Sequence, residues 1–123
     1  MLMILSPAKT LDFESSLPTR RRSTPAFSKQ SSEVISSLLK LSRTELAGRM
    51  KLKPELAETT HRQYSDWQQR PTVRNARPAV LAYRGNAYVG LDASGFSDDD
   101  FAFAQASLRI LSGLYGILRP LDL

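Results

Sequence analysis

The sequence predicts an α/β or α+β fold: an incomplete mixed sheet of short strands with about four helices, forming part of a larger single domain. Three observations lead there. Two short runs, residues 1–5 (MLMIL) and 79–83 (AVLAY), are apolar throughout, as in strands covered on both faces. Other stretches repeat apolar residues at three- and four-residue spacing, as helices do. Two or three short strands do not complete a sheet, and the chain stops at the apolar Pro120-Leu121-Asp122-Leu123. The 123 residues therefore read as the N-terminal part of a domain truncated at its C-terminal end.

The elements follow in order. Ser6-Pro7 ends the first strand, because proline lacks the ladder donor. Residues 6–27 read as a loop, with prolines at 7, 18 and 25 and three arginines at 20–22. A connection of that length usually signals function or mobility. From Ser31 onward, Val34, Ile35, Leu38, Leu39 and Leu41 form a helical stripe. Ser42-Arg43-Thr44-Glu45 is a capping-box pattern, opening a helix that runs to about Met50. Pro54 suits the first turn of a third helix, with Leu56, Thr60, Tyr64 and Trp67 on one face. Pro78 introduces the second strand, and Gly85-Asn86 is a turn. Residues 87–96 fit neither pattern. Ser97 caps the clearest helix, with Asp98, Asp99 and Asp100 in the first turn where the helix dipole favours negative charge. Phe101, Ala104, Leu108 and Leu111 form its apolar face, Ser112-Gly113 stops it, and an extended segment closes the chain.

Composition narrows the function. There is no cysteine, which removes disulfides, thiolate metal sites and a cysteine nucleophile. One histidine, His61, makes no His-rich metal site, so no metal or cofactor is expected. No apolar run is long enough to span a bilayer, and residues 1–5 are too short for a signal-peptide core, so the expected compartment is the cytoplasm. Net charge is +5, and residues 1–70, with 12 basic and 7 acidic side chains, carry all of it. That asymmetry points to an anionic partner such as DNA.

Three segments are candidates for chemistry. Ser6-Pro7-Ala8-Lys9-Thr10 follows a strand, where open α/β sheets place ligand sites, and Lys9 can hold a phosphate. The same segment equally reads as a loop with a surface lysine. Arg20, Arg21 and Arg22 form a phosphate-contact arm or a solvated charge run. Residues 108–119 (LRILSGLYGILR) read as a helix followed by a hairpin of two glycines, Gly113 and Gly116, flanked by Arg109 and Arg119. Glycines of that kind let main-chain amides approach a phosphate. The plainer reading is a glycine helix stop followed by a strand. The three aspartates 98–100 point in different directions on a helix and do not converge on a cation.

Several segments together resemble the YaaA peroxide-stress protein family of bacteria: residues 1–11 (MLMILSPAKTL), Asn75-Ala76-Arg77 with residues 79–85, residues 96–101 (FSDDDF) and residues 108–123 (LRILSGLYGILRPLDL). Members continue about as far again beyond this point. The resemblance implies a cytoplasmic protein that lowers available iron under hydrogen peroxide. It also implies binding of double- and single-stranded DNA through a positively charged cleft and a helix-hairpin-helix element. Carried over by position, residues 108–119 would be the hairpin and Lys9 would lie near the cleft. The expectation is a non-enzymatic protein that binds DNA through Lys9, Arg20, Arg21, Arg22, Arg109, Gly113, Gly116 and Arg119. The alternative is an enzyme acting on a phosphorylated or nucleotide substrate at the loop from Ser6 to Thr10.

Overall fold

The computed structural model describes all 123 residues. In chain order the first elements are β1 (Met3–Leu5), β2 (Thr10–Leu11), α1 (Ser28–Leu38), α2 (Arg43–Met50) and α3 (Pro54–Asp66). There follow α4 (Ala79–Ala82), β3 (Tyr83–Arg84), α5 (Asn86–Leu91), a 3-10 turn (Ala93–Gly95), α6 (Asp98–Ser107), β4 (Leu108–Ser112) and β5 (Gly116–Leu118). Two compact units result, one of residues 1–27 and 70–123, the other of residues 28–69.

The first unit is built on a three-stranded mixed sheet in the order β1-β4-β5. β1 runs parallel to β4, with Met3, Ile4 and Leu5 beside Leu108, Arg109 and Ile110. β5 returns antiparallel, with Leu118 beside Ile110 and Ile117 beside Leu111. Register puts Leu5, Leu108, Ile110 and Leu118 on one face, because alternate side chains share a face. That face meets a core of Ala79, Val80, Tyr88, Ala93, Phe101 and Leu121. Phe96 packs edge-on against Phe101, ring centroids 5.4 Å apart. A second, two-stranded sheet pairs Thr10 with Arg84 and Leu11 with Tyr83. The mixed α/β class therefore holds. α1, α2, α3 and α6 are the longer helices, and α4 and α5 are short additions.

Both expected helix starts form, each closed by a capping box. Ser42 Oγ accepts from the Glu45 amide (3.2 Å) while the Ser42 amide donates to Glu45 Oε2 (2.8 Å). Ser97 and Asp100 repeat the arrangement at 3.2 and 2.9 Å. Two elements differ from the sequence reading. Residues 79–82 make a helical turn rather than a strand. Pro78 O accepts from the Leu81 and Ala82 amides, while the Ala79 and Val80 amides reach Asp122 O (2.8 Å) and Pro120 O (3.0 Å). A short apolar run looks the same in a buried turn as in a buried strand. The last long helix stops at Ser107, not Leu111, because residues 108–110 pair with β1. Leu108 and Ile110 are buried with Arg109 between them less so, which is period two. Residues 108–119 are thus centred on a β-hairpin, not the helical half of a helix-hairpin-helix.

The second unit is helical. α1 begins three residues before Ser31 and ends at Leu38, with Ser31 and Ile35 buried. α2 and α3 pack together around Leu46 and Ala57, both essentially solvent-free. Leu56, expected on the inner face of α3, is exposed, and Ala57 takes its place. Tyr64 Oη donates to Met50 Sδ (3.7 Å), tying the far end of α3 to the end of α2. Burial pushes the Tyr64 phenol above its ordinary pKa.

Candidate nucleic-acid interface

The arginine arm is held at both ends by backbone. The Arg21 amide donates to Thr19 Oγ1 (3.1 Å), and Thr19 is buried. Two residues on, the Ser23 amide donates to Leu121 O (2.8 Å) and Ser23 O accepts from the Leu123 amide (3.0 Å), so Ser23 and Asp122 form a parallel bridge. The three side chains then diverge in role. Arg21 Nη1 donates to Asp98 O (2.8 Å). Arg20 and Arg22 make no ion pair or side-chain hydrogen bond, and both are exposed. With Leu17, Val73, Pro78 and Leu123 the arm lines an open concavity of about 390 Å³.

Arg109 and Arg119 are engaged within the protein. Arg109 Nη1 donates to Gln105 O (3.0 Å) and Leu108 O (2.7 Å), which satisfies carbonyls at the end of α6. Arg119 lies over Asp122: Nη2 and Nε reach Oδ1 at 2.9 and 3.2 Å, and Nη2 also donates to Thr24 O (3.1 Å). The Arg119 amide donates to Asp122 Oδ2 (2.8 Å) and Ser23 Oγ to Oδ1 (2.6 Å). Gln105 completes the network, donating to Ser23 Oγ (2.9 Å) and accepting from the Leu121 amide (2.8 Å).

The two glycines sit on the β4–β5 hairpin. Gly113 has open space where a side chain would project. Gly116 has φ +71°, a backbone that L-residues rarely adopt, and lies against the Phe27 ring. Ser112 Oγ accepts from the Tyr115 amide (3.1 Å) within the turn. The backbone here is organised by its own strand pairing.

Lys9 stands exposed between β1 and β2 with no ion-pair partner. The loop around it is fixed by Tyr88, whose hydroxyl donates to Ser6 O (2.7 Å). Burial, with Tyr83 beside it, pushes the Tyr88 phenol up to about 12. Thr10 is paired in β2, and Ala8 packs closely against Gly85. Beyond β2, Asp12 accepts from Ser15 Oγ (2.6 Å), from the Glu14 and Ser15 amides and from Arg84 Nη1 (2.9 Å). The Ser15 hydroxyl and amide chiefly hold its carboxyl well below the usual carboxylate range, and Arg77 adds to the effect. Arg77 itself is buried and donates to Ser15 O.

The second unit carries a feature the sequence reading treated only as two successive helices. α2 and α3 are joined by Lys51-Leu52-Lys53, a helical hairpin with a three-residue turn. Lys51 adopts a left-handed backbone (φ 52°, ψ 47°), and the Lys51 and Leu52 amides both return to Ala47 O. Lys53 is extended, Pro54 opens α3, and no side chain caps the α3 start. Arg49, Lys51 and Lys53 are exposed around this turn. The signal was present in the sequence as three cations in five residues between a capping box and a helix-opening proline. No group of three or more His, Asp or Glu side chains is gathered as a metal site. No helix is long and apolar enough to cross a membrane.

Fold and surface together define a mixed α/β protein with cations on an ordered loop and on a helical hairpin. Comparison with known proteins makes this specific: the family described as peroxide stress protein YaaA matches residues 1–123, and the chain belongs to it. A relative described as a UPF0246 protein, from Colwellia psychrerythraea (strain 34H / ATCC BAA-681), is 50% identical over 123 residues. That match covers 100% of this chain and 48% of the relative, so the chain spans about half the relative's length.

Proposed function

We propose that the chain is the DNA-contacting part of a cytoplasmic, non-enzymatic peroxide-stress protein that grips DNA through its phosphates and helps limit iron-dependent oxidative damage. One observation carries the reading: the α2–α3 hairpin, with Arg49, Lys51 and Lys53 around a turn whose following helix start has no side-chain cap. A phosphate at that turn meets the positive end of the α3 dipole and two lysines together. Such contacts ignore base identity, so binding is independent of sequence and weakens with salt. Lys9, Arg20 and Arg22 add exposed charge. Arg21, Arg109 and Arg119 already serve the fold, so on this reading they shape the surface rather than supply its main contacts. The hairpin of Gly113 and Gly116 is a secondary contact.

The test is a titration of the full-length protein with duplex DNA across salt concentrations. The logarithm of affinity falls linearly with the logarithm of salt, at about 0.9 per neutralised phosphate. Lys51→Ala with Lys53→Ala is expected to make that slope shallower by about 2 and to weaken binding to all sequences alike. A flat slope for the native protein would overturn the DNA reading. A slope unchanged by the double substitution would remove the hairpin from it.

A further inference from the structure

The β1-β4-β5 sheet has a second face. The register that turns Leu5, Leu108, Ile110 and Leu118 inward turns Ile4, Leu111 and Ile117 the other way, one from each strand, with Leu2 continuing the row ahead of β1. All four are exposed, at 56% for Leu2, 61% for Ile4, 43% for Leu111 and 47% for Ile117. Only Arg109 interrupts them, and its guanidinium is drawn to the end of α6 by the Gln105 and Leu108 carbonyls.

One general argument says that this face is covered in the working protein. A contiguous apolar row on a sheet is the surface against which a further layer packs. The source of the layer follows from length: this chain spans 48% of its Colwellia relative, so a full-length protein has about as much polypeptide again to place. We propose that the rest of the full-length polypeptide packs, within the same molecule, an apolar helix or strand face across Leu2, Ile4, Leu111 and Ile117. The sheet would then be the floor of one continuous domain, with the residues beyond this stretch as its second cover.

The experiment uses the full-length protein with a photoreactive phenylalanine analogue at Leu111 or at Ile117, apolar replacements that preserve the row. The same analogue at Val89, 67% exposed on α5, is the reference. Irradiation followed by peptide mapping is expected to give intramolecular crosslinks from positions 111 and 117 to polypeptide outside residues 1–123, at least tenfold more abundant than from position 89. A crosslinked dimer would make a second copy the cover and overturn the proposal. Crosslinks confined to residues 28–69 would do the same, as would reaction with solvent alone. Ile4→Lys in the full-length protein gives an independent reading. It is expected to lower the melting temperature clearly, while Val89→Lys leaves it unchanged; equal melting of both variants would overturn the proposal.

Discussion

Asp122 is the side chain on which the first unit closes, and removing its carboxylate is the sharpest test of how that unit is held. It is 1% exposed. Its two oxygens accept from the Arg119 amide, the Arg119 guanidinium and the Ser23 hydroxyl, at 2.6–2.9 Å for the closest contact of each group. Its main chain accepts from the Ala79 amide. Breaking a buried pair from one side costs about 3–5 kcal/mol, because the other partner stays behind unpaired. Here the Arg119 side chain is 42% exposed and can be rehydrated, and Ser23 keeps Gln105. The lower end applies, so Asp122→Ala should cost about 3 kcal/mol. With about 1.4 kcal/mol per factor of ten, that is roughly a hundredfold. The assay is native-state amide exchange in the full-length protein, read at Ala79 and Val80, whose amides donate to this closing segment. Protection there should fall about a hundredfold in Asp122→Ala and about tenfold in Asp122→Asn, which keeps one acceptor oxygen. Protection within threefold of the native value in Asp122→Ala would refute the reasoning.

Three further outcomes are expected. Gly116→Ala, at φ +71° and against Phe27, should lower stability by about 1 kcal/mol or more, while Gly113→Ala, with open space at its Cβ, should change it by less than about 0.5 kcal/mol; urea unfolding compares them. Ser97→Ala should cost about 1 kcal/mol at neutral pH by removing the α6 cap, read as the shift of a thermal melt. The Ser97 hydroxyl and amide hold the Asp100 carboxyl below its ordinary pKa, so this stabilisation is complete above the unfolded carboxylate's pKa and fades as pH falls through the lower folded one; Ser97→Ala should flatten that acid limb. Tyr88→Phe should cost about 1 kcal/mol through loss of the hydrogen bond to Ser6 O. With its phenol pushed up to about 12, Tyr88 contributes stability below the unfolded phenol's pKa that fades as pH rises through the folded value, and alkaline melts of the two proteins should show the difference.

The elements legible in the sequence were those whose signals are local. Ser42 and Ser97 mark helix starts because a hydroxyl reaches an amide three residues on, wherever the helix later packs. Pro54 marks one because its missing N–H is not needed there. The misread elements were decided at a distance. Residues 79–82 turn helical while their first two amides are taken by residues 120–122, some forty positions away. Residues 108–111 have helical spacing of apolar groups, yet β1, more than a hundred residues earlier, pairs with residues 108–110. Tertiary pairing outweighs a local preference worth only tenths of a kcal/mol per residue.

The site divides along the same line, and the arginines show why. In sequence Arg20, Arg21, Arg22, Arg109 and Arg119 are five equal positive charges. In the fold three of them hold carbonyls or a carboxylate: Arg21 at Asp98, Arg109 at the end of α6, Arg119 at Asp122 and Thr24. Guanidinium suits that work because it presents several donors in one plane and stays charged under partial burial. Lysine, with one flexible point charge, is more readily left to the solvent, and Lys9, Lys51 and Lys53 are all exposed without ion-pair partners. Formal charge therefore overstates what this surface offers to a phosphate backbone. Exposed cations without an ion pair remain in both units, among them Lys9, Arg20 and Arg22 in the first and Arg49, Lys51 and Lys53 in the second. Of these two sets, only the second surrounds a turn that also presents an uncapped helix start, so the proposed phosphate contact lies at residues 49–54 rather than at the longest run of arginines.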